Sequence, residues 1–182
     1  MHDIQVRYSG RFIDLVERDD WEYASRVHRS GVAVIVAVTD ARELILVEQY
    51  RIPVQASVIE LPAGLIGDSP EHANESGLDA AVRELEEETG FRAADMDMLI
   101  HCPTTAGLAD EMATFFLAGS LQRIHAGGGD SSEQILVHVI PLSGIDGWLD
   151  DQACAGKLLD PKIYSALYWL HRRDIDVHRK QL

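Results

Sequence analysis

The spacing of apolar and polar residues divides most of the chain into predicted strands. The segment GVAVIVAVTD (31–40) is an unbroken run of β-branched and small apolar residues, which is typical of a strand buried on both faces. ELILVEQYR (43–51) follows after a short turn and is expected to be its hairpin partner, and ASVIELPAG (56–64) predicts another strand. Residues 10–29 indicate two shorter strands around an Asp-Asp turn. Further strands are expected at 96–102, 113–119 and 135–141.

Two segments show the spacing of helices. Leu78, Ala81, Val82 and Leu85 recur at i, i+3, i+4 and i+7, which predicts an amphipathic helix that ends at Gly90. DPKIYSALYWLHRR (160–173) begins with Asp and Pro, a favourable start for a second helix. We therefore expect one α+β domain over residues 1–182, with a mixed sheet, a central helix and a C-terminal helix.

Composition and charge narrow the possible functions. Apolar residues make up 46% and charged residues 25% of the chain, as in an ordinary globular protein. No apolar run is long enough to cross a membrane, and the N-terminus lacks the apolar core of a signal peptide, so we expect a cytoplasmic protein without membrane contacts. The net charge of −14 argues against nucleic acid as a partner. An anionic substrate would need cations supplied locally by Arg, Lys or metal ions.

The segment AAVRELEEETGF (80–91) crowds glutamates onto the predicted central helix. Glu84, Glu87 and Glu88 lie at i, i+3 and i+4 and share one face, away from the centre of the apolar stripe, and Arg83 can pair with Glu87. Helical spacing alone favours a solvated acidic surface. Divalent cations would remove the repulsion, and ligands that are all oxygen suit Mg²⁺ or Mn²⁺. The chain has no P-loop, no Gly-x-Ser-x-Gly and no His-Glu-x-x-His.

The order of residues in this helix resembles the signature of the Nudix hydrolases. RELEEETGF (83–91) follows Arg-Glu-aliphatic-x-Glu-Glu-x-Gly-aliphatic, and Glu75 stands eight residues before the arginine. The family's usual glycine, six residues before that first glutamate, is replaced here by Ser69. If Gly64 takes its place, the loop is five residues longer than the minimal signature, and Glu71 competes with Glu75 for the same role.

The resemblance implies a fold and a metal-dependent reaction. The fold would be an α/β/α arrangement with the mixed sheet between helices, preceded by antiparallel strands in an extension of about residues 1–30, with the core at about 31–182. Nudix enzymes hydrolyse a nucleoside diphosphate linked to another group, and the resemblance implies two or more Mg²⁺ or Mn²⁺ ions as cofactor. The implied metal ligands are the carboxylates of Glu84, Glu87 and Glu88 and the backbone carbonyl of Ala63. Arg83 would orient a carboxylate, and Glu87 and Arg83 would both act in catalysis.

The segment from Trp21 to about residue 68 is similar to ADP-ribose pyrophosphatases and related nucleotide-sugar hydrolases. This branch implies that Trp21 and Tyr23 stack on the base, or else simply pack in the core or an interface. Arg51 would contact phosphate or form a surface ion pair. Glu133, at the end of a glycine-rich loop, would be the general base. Its rival is Glu111, which we otherwise place near the metals or the substrate.

Several alternatives stay open. ADP-ribose, cleaved to AMP and ribose 5-phosphate, is the expected substrate, and GDP-mannose or another nucleotide sugar is the alternative. A Nudix module that binds a nucleotide sugar without cleaving it is the second class of function. A homodimer joined through the N-terminal strands is expected from the resemblance.

Overall fold

The structure, a computed structural model, describes residues 3–27, 31–67, 69–129 and 134–180, with side chains described as far as Arg173. The strands and helices of this part follow one another in a fixed order. They are β1 (Gln5–Ser9), β2 (Ile13–Arg18), β3 (Trp21–Arg26), β4 (Val32–Ala37), β5 (Glu43–Arg51), β6 (Ala56–Glu60), β7 (Ala63–Leu65), α1 (Gly77–Thr89), β8 (Phe91–Pro103), β9 (Met112–Arg123), β10 (Ile135–Pro141), α2 (Ile145–Cys154), β11 (Leu158–Leu159) and α3 (Lys162–Lys180).

The strands form three sheets. β1, β2 and β3 make an antiparallel N-terminal sheet, and two four-stranded sheets have the orders β10-β5-β6-β11 and β7-β4-β9-β8. Each four-stranded sheet is mixed, because β4 runs parallel to β9 and β11 runs parallel to β6 while the other pairs are antiparallel. The predicted α+β fold with mixed sheets and N-terminal antiparallel strands is confirmed.

Strand β4 lies between two layers of helices. Its side chains alternate: Val34 and Val36 pack in one apolar cluster with residues of α2 and α3, whereas Ala33, Ile35 and Ala37 pack in another with residues of α1. All five side chains are fully buried. The prediction of a strand buried on both faces is confirmed, and this double burial produces the α/β/α layering.

The expected hairpin between β4 and β5 is wrong. The two strands belong to different sheets and are joined only by an isolated bridge from Val38 to Leu44. A fully apolar run shows that a strand is buried but not which strand lies beside it. The predicted strand at 56–64 is also two strands, because β6 ends at Glu60 and the chain crosses at Pro62 into β7 of the other sheet.

Helix α1 has the expected end but a different buried face. Ser76 and Asp79 form a capping box at its start, and Gly90 closes it in the left-handed conformation with φ of 73°. Leu78 and Val82 are 43% and 42% exposed, so the stripe predicted to run through them is wrong. The side chains that face the core include Ala81, Leu85 and Glu88. Glu88 therefore lies on the buried side of the helix and not on the solvated side.

The N-terminal sheet is held against the rest of the chain by strand β3. The Asp19-Asp20 turn between β2 and β3 has positive φ at both residues. The amide of Ala24 donates to the carbonyl of Leu108 at 2.8 Å, and Ser25 donates to the carboxylate of Asp110 at 2.8 Å. Helix α2 was not predicted. In the part of the chain that the structure describes, no helix is long and apolar enough to span a membrane.

Candidate active site

Two glutamates of α1, together with Glu75 just before the helix, contact one arginine. Arg83 donates to Glu75 at 2.9 and 3.2 Å, to Glu84 at 2.7 Å and to Glu87 at 3.0 Å. The side chain of Arg83 is only 17% exposed, and these carboxylates raise its pKa further above its usual range. The guanidinium therefore offsets the repulsion between like charges and fixes three carboxylates relative to one another.

The longer loop before α1 still brings Glu75 to this arginine. Hydrogen bonds from Arg83 lower the pKa of the Glu75 carboxyl, and the amide of Gly67 adds another at 2.9 Å. The Glu75 side chain is 8% exposed, whereas Glu71, the competing candidate, is an exposed residue. Ser69 thus occupies the position of the usual glycine without displacing Glu75 from its contact.

Glu84 and Glu88 open into a cavity of about 320 Å³, here called the carboxylate cavity. Glu88 is 5% exposed, and its Oε2 accepts a hydrogen bond from the amide of Ala63 at 3.1 Å. Ala63 and Gly64 line the same cavity. A Cβ on Gly64 would lie 1.9 Å from the carboxylate carbon of Glu84, so the backbone and the carboxylate can approach this closely only at a glycine.

The oxygen atoms that face this cavity are suitable ligands for a hard divalent cation. Two carboxylates and the Ala63 backbone converge on one space, and oxygen ligands of this kind are what Mg²⁺ and Mn²⁺ prefer. Within the described ranges no three Asp, Glu, His or Cys side chains already surround a common point as a metal site. Glu87, whose side chain is 51% exposed, contacts Arg83 and is not among the residues that line the cavity.

Three cationic side chains also line the carboxylate cavity, each held by a carboxylate. Arg51, a predicted phosphate contact, donates to Glu60 at 2.6 Å. Sequence reasoning missed the other two cations, Arg26 and Lys162, as well as Glu60. These residues are distant from one another along the chain and form no motif, so no sequence signal could have grouped them.

Trp21 and Tyr23 line a second space of about 480 Å³, here called the aromatic cavity. Trp21 is 62% exposed, and its indole N–H lies 3.4 Å from the carbonyl of Gly107. The alternative of core packing is therefore wrong for Trp21, whose ring remains open to a ligand.

A smaller middle cavity of about 190 Å³ shares one lining residue with each of these two spaces. Arg26 lines the middle and the carboxylate cavities, while Ala109 lines the middle and the aromatic cavities. Glu111 belongs to the middle cavity, where it accepts a hydrogen bond from Arg26 at 2.6 Å. Glu133, the predicted general base, lies outside the described residues. Since the middle cavity shares a residue with each of the others, the three cavities are neighbours; together they are here called the groove, with the aromatic cavity as its aromatic end and the carboxylate cavity as its charged end.

Comparisons with known proteins identify the family to which the chain belongs. The NUDIX domain family model matches residues 28–143. The chain is 29% identical to the methanol dehydrogenase activator of Bacillus methanolicus over 94% of this chain and 92% of that protein. It is 37% identical to the ADP-ribose pyrophosphatase of Bacillus subtilis (strain 168), over 63% of this chain and 62% of that enzyme. A crystal structure of an ADP compounds hydrolase has the same fold, with a TM-score of 0.71 at 22% identity, covering 93% of this chain and 90% of that one.

The family match covers well over half of the chain and includes the helix that carries the glutamates. The chain belongs to the Nudix hydrolases and is most similar to their ADP-ribose pyrophosphatase branch.

Proposed function

We propose that this Nudix hydrolase cleaves the pyrophosphate bond of ADP-ribose, giving AMP and ribose 5-phosphate, with Mg²⁺ or Mn²⁺ as cofactor. The observation that carries the proposal is the groove with two unlike ends. Its aromatic cavity offers the exposed ring of Trp21, and its carboxylate cavity combines cationic side chains with carboxylates. A nucleoside diphosphate needs an aromatic surface for its base and a charged site for its phosphates.

Within this proposal the carboxylate cavity holds the metal ions. Glu84 and Glu88 would be the principal ligands, together with the backbone carbonyl of Ala63, and Glu87 would take part directly or through a water molecule. Bound ions would neutralise the phosphate oxygens and lower the pKa of a water molecule. Arg83 keeps the glutamates in position, because it already donates to Glu84 and Glu87.

The remaining groups have separate roles. Glu133 is the proposed general base. Glu111 is the proposed substrate contact, since it lies in the middle cavity beside Arg26, between the base and phosphate ends of the groove. Trp21 and Tyr23 would stack on the base, and Arg51 would contact a phosphate oxygen from its position in the carboxylate cavity.

We also propose that the protein is a cytoplasmic homodimer. The N-terminal sheet exposes large apolar side chains, including Val6 at 58%, Tyr8 at 67% and Phe12 at 65%, which a second copy would cover. Cys102 and Cys154 are free, which suits a reducing compartment. Light scattering during size-exclusion chromatography measures the mass directly, and a Tyr8→Ser variant that stays as dimeric as the wild type would argue against this sheet as the interface.

Product analysis with a substrate panel tests the function. ADP-ribose, GDP-mannose, UDP-glucose, NADH and a diadenosine polyphosphate are incubated with Mg²⁺, with Mn²⁺ or with a chelator. We expect metal-dependent release of AMP and ribose 5-phosphate from ADP-ribose, lost in Glu88→Gln. Glu86→Gln is the matched control, because Glu86 lies on the same helix but pairs with Arg92 at the surface.

Two other results would redirect the proposal. Faster cleavage of GDP-mannose or UDP-glucose would keep the reaction and change the substrate. Tight binding of one compound with no cleavage under either metal would support the binding-module alternative.

A further inference from the structure

Lys162 places a cation in the carboxylate cavity from a part of the chain far from the signature helix. Lysines are scarce here, and the sequence contains only Lys157, Lys162 and Lys180. Lys162 is the first residue of α3 and lines the same cavity as Glu84 and Glu88. Nothing in the sequence pattern marks it, since it follows Asp160 and Pro161 in what reads as an ordinary helix start.

The start of α3 is fixed firmly enough to hold this lysine in place. Strand β11 pairs in parallel with β6, and the amide of Asp160 donates to the carbonyl of Ile59 at 2.9 Å. One carboxylate oxygen of Asp160 accepts from the amide of Lys162 at 2.7 Å, and the next residue, Ile163, is fully buried. Lys162 is therefore anchored beside the end of β6, where Glu60 and Arg51 form their ion pair.

The charge of Lys162 is held at the wall of the cavity. Its ammonium pairs with the second carboxylate oxygen of Asp160. The Asp160 side chain is only 11% exposed and does not line the cavity, whereas the Lys162 side chain is 32% exposed and does. The aspartate therefore fixes the position of the ammonium, and a phosphate bound in the cavity would share the lysine with it.

The position of Lys162 along the groove indicates which part of a substrate it meets. Arg26 lines the middle cavity as well as the carboxylate cavity, so it lies toward the aromatic end. Lys162 and Arg51 line the carboxylate cavity and neither of the other two. With a base against Trp21, we place the first phosphate near Arg26, which lines the middle and the carboxylate cavities, and the second phosphate near Lys162, which lines the carboxylate cavity with Glu84 and Glu88.

We propose that Lys162 binds the second phosphate, the one that carries the group other than the nucleoside, and that Asp160 is its positioning residue. The inference rests on the proposed function, because it takes the substrate to be a nucleoside diphosphate joined to a second group. Lys162 gives the site a preference for such compounds over a nucleoside monophosphate, which has no second phosphate.

Calorimetric binding of ADP-ribose and of AMP, both in a chelator so that nothing is cleaved, tests this directly. In Lys162→Gln we expect roughly ten- to a hundredfold weaker binding of ADP-ribose, the usual effect of losing a hydrogen bond to a charged group. AMP affinity should stay at the wild-type value. Lys162→Arg should recover most of the loss, and Asp160→Asn, which still caps the helix, should weaken ADP-ribose binding less than Lys162→Gln.

Lys157→Gln is the matched control, because Lys157 pairs with Glu48 and does not line the groove. Thermal melts of each variant report whether it is folded. Equal affinity of Lys162→Gln and wild type for ADP-ribose, or an equal loss for ADP-ribose and AMP, overturns the assignment while leaving the proposed function intact. A wild-type chain that neither binds nor cleaves ADP-ribose refutes the proposed function and this inference together.

Discussion

Gly64→Ala tests whether catalysis depends on the close approach of the backbone at Gly64 to the carboxylate of Glu84. The new Cβ would lie 1.9 Å from both Cδ and Oε1 of Glu84 and 2.3 Å from its Cγ. An ordinary contact is about 3.4 Å, so the carboxylate must retreat by about 1.5 Å. Gly64 is not among the glycines with positive φ, so alanine adds no backbone strain there. The three heavy atoms nearest to the new Cβ all belong to Glu84, so the change acts first on that side chain.

Gly64→Ala should have a moderate effect on stability and a large effect on activity. Moving Glu84 breaks its 2.7 Å bond with Arg83, which keeps Glu75 and Glu87 as partners. Loss of this hydrogen bond between charged groups costs about 1.5–3 kcal/mol, which lowers Tm by roughly 3–12 °C in a chain of this size. A displacement of this order in a catalytic group reduces kcat by about a hundredfold. The variant should thus be folded and nearly inactive.

The assay pairs thermal melts with the rate of ADP-ribose cleavage in saturating Mg²⁺. Gly147→Ala is the control, because a Cβ there meets nothing within 4 Å and the residue is exposed in α2. It should stabilise the chain by roughly 0.5–1 kcal/mol and leave kcat unchanged. Near-normal kcat in Gly64→Ala would refute the role of the Glu84 position. A collapse of Tm would instead show that the carboxylate cannot move aside.

Three further changes probe other parts of the molecule. Arg83 lowers the pKa of Glu75, so their ion pair stabilises the fold fully above the ordinary carboxyl pKa of about 4.3. This stabilisation is lost as the pH falls through the lower pKa that Glu75 has in the folded state. Glu75→Gln should therefore flatten the fall of Tm with acid, and an unchanged pH profile of Tm would contradict this. Trp21→Ala should raise KM for ADP-ribose about tenfold at constant kcat, whereas a loss in kcat alone would argue against base stacking. Leu85→Ala, at a fully buried site, should cost about 2–5 kcal/mol in urea unfolding, and a loss below that range would contradict the packing around α1.

Local sequence patterns predicted the strands and helices better than they predicted which elements lie side by side. The run at β4 was recognisable because six successive apolar residues leave no face for water, and Gly90 marked the end of α1 because the left-handed cap favours glycine. The partner of β4 was not recognisable, since β9 lies about eighty residues further along the chain. Sheet order depends on such distant contacts, which no local spacing records.

The sequence predicted the site residues that are close together along the chain, and it did not predict those that only folding brings together. The signature helix identified Glu84 and Glu88 as candidates, yet helical spacing placed Glu88 on the solvated face because it treats every glutamate as polar. The amide of Ala63 satisfies that buried carboxylate, and only the folded chain shows this. Arg26, Glu60 and Lys162 come from three separate elements and carry no mutual spacing.

Strand β3 docks against the 104–111 loop, and as a result two different parts of the chain supply the two ends of the groove. The residues at the aromatic end come from the N-terminal hairpin and from that loop, whereas the glutamates come from α1. Arg83 and the carboxylates that it holds are not among the residues that line the aromatic cavity. If the aromatic end binds the base as proposed, the hairpin is the segment to exchange when a different nucleoside specificity is wanted.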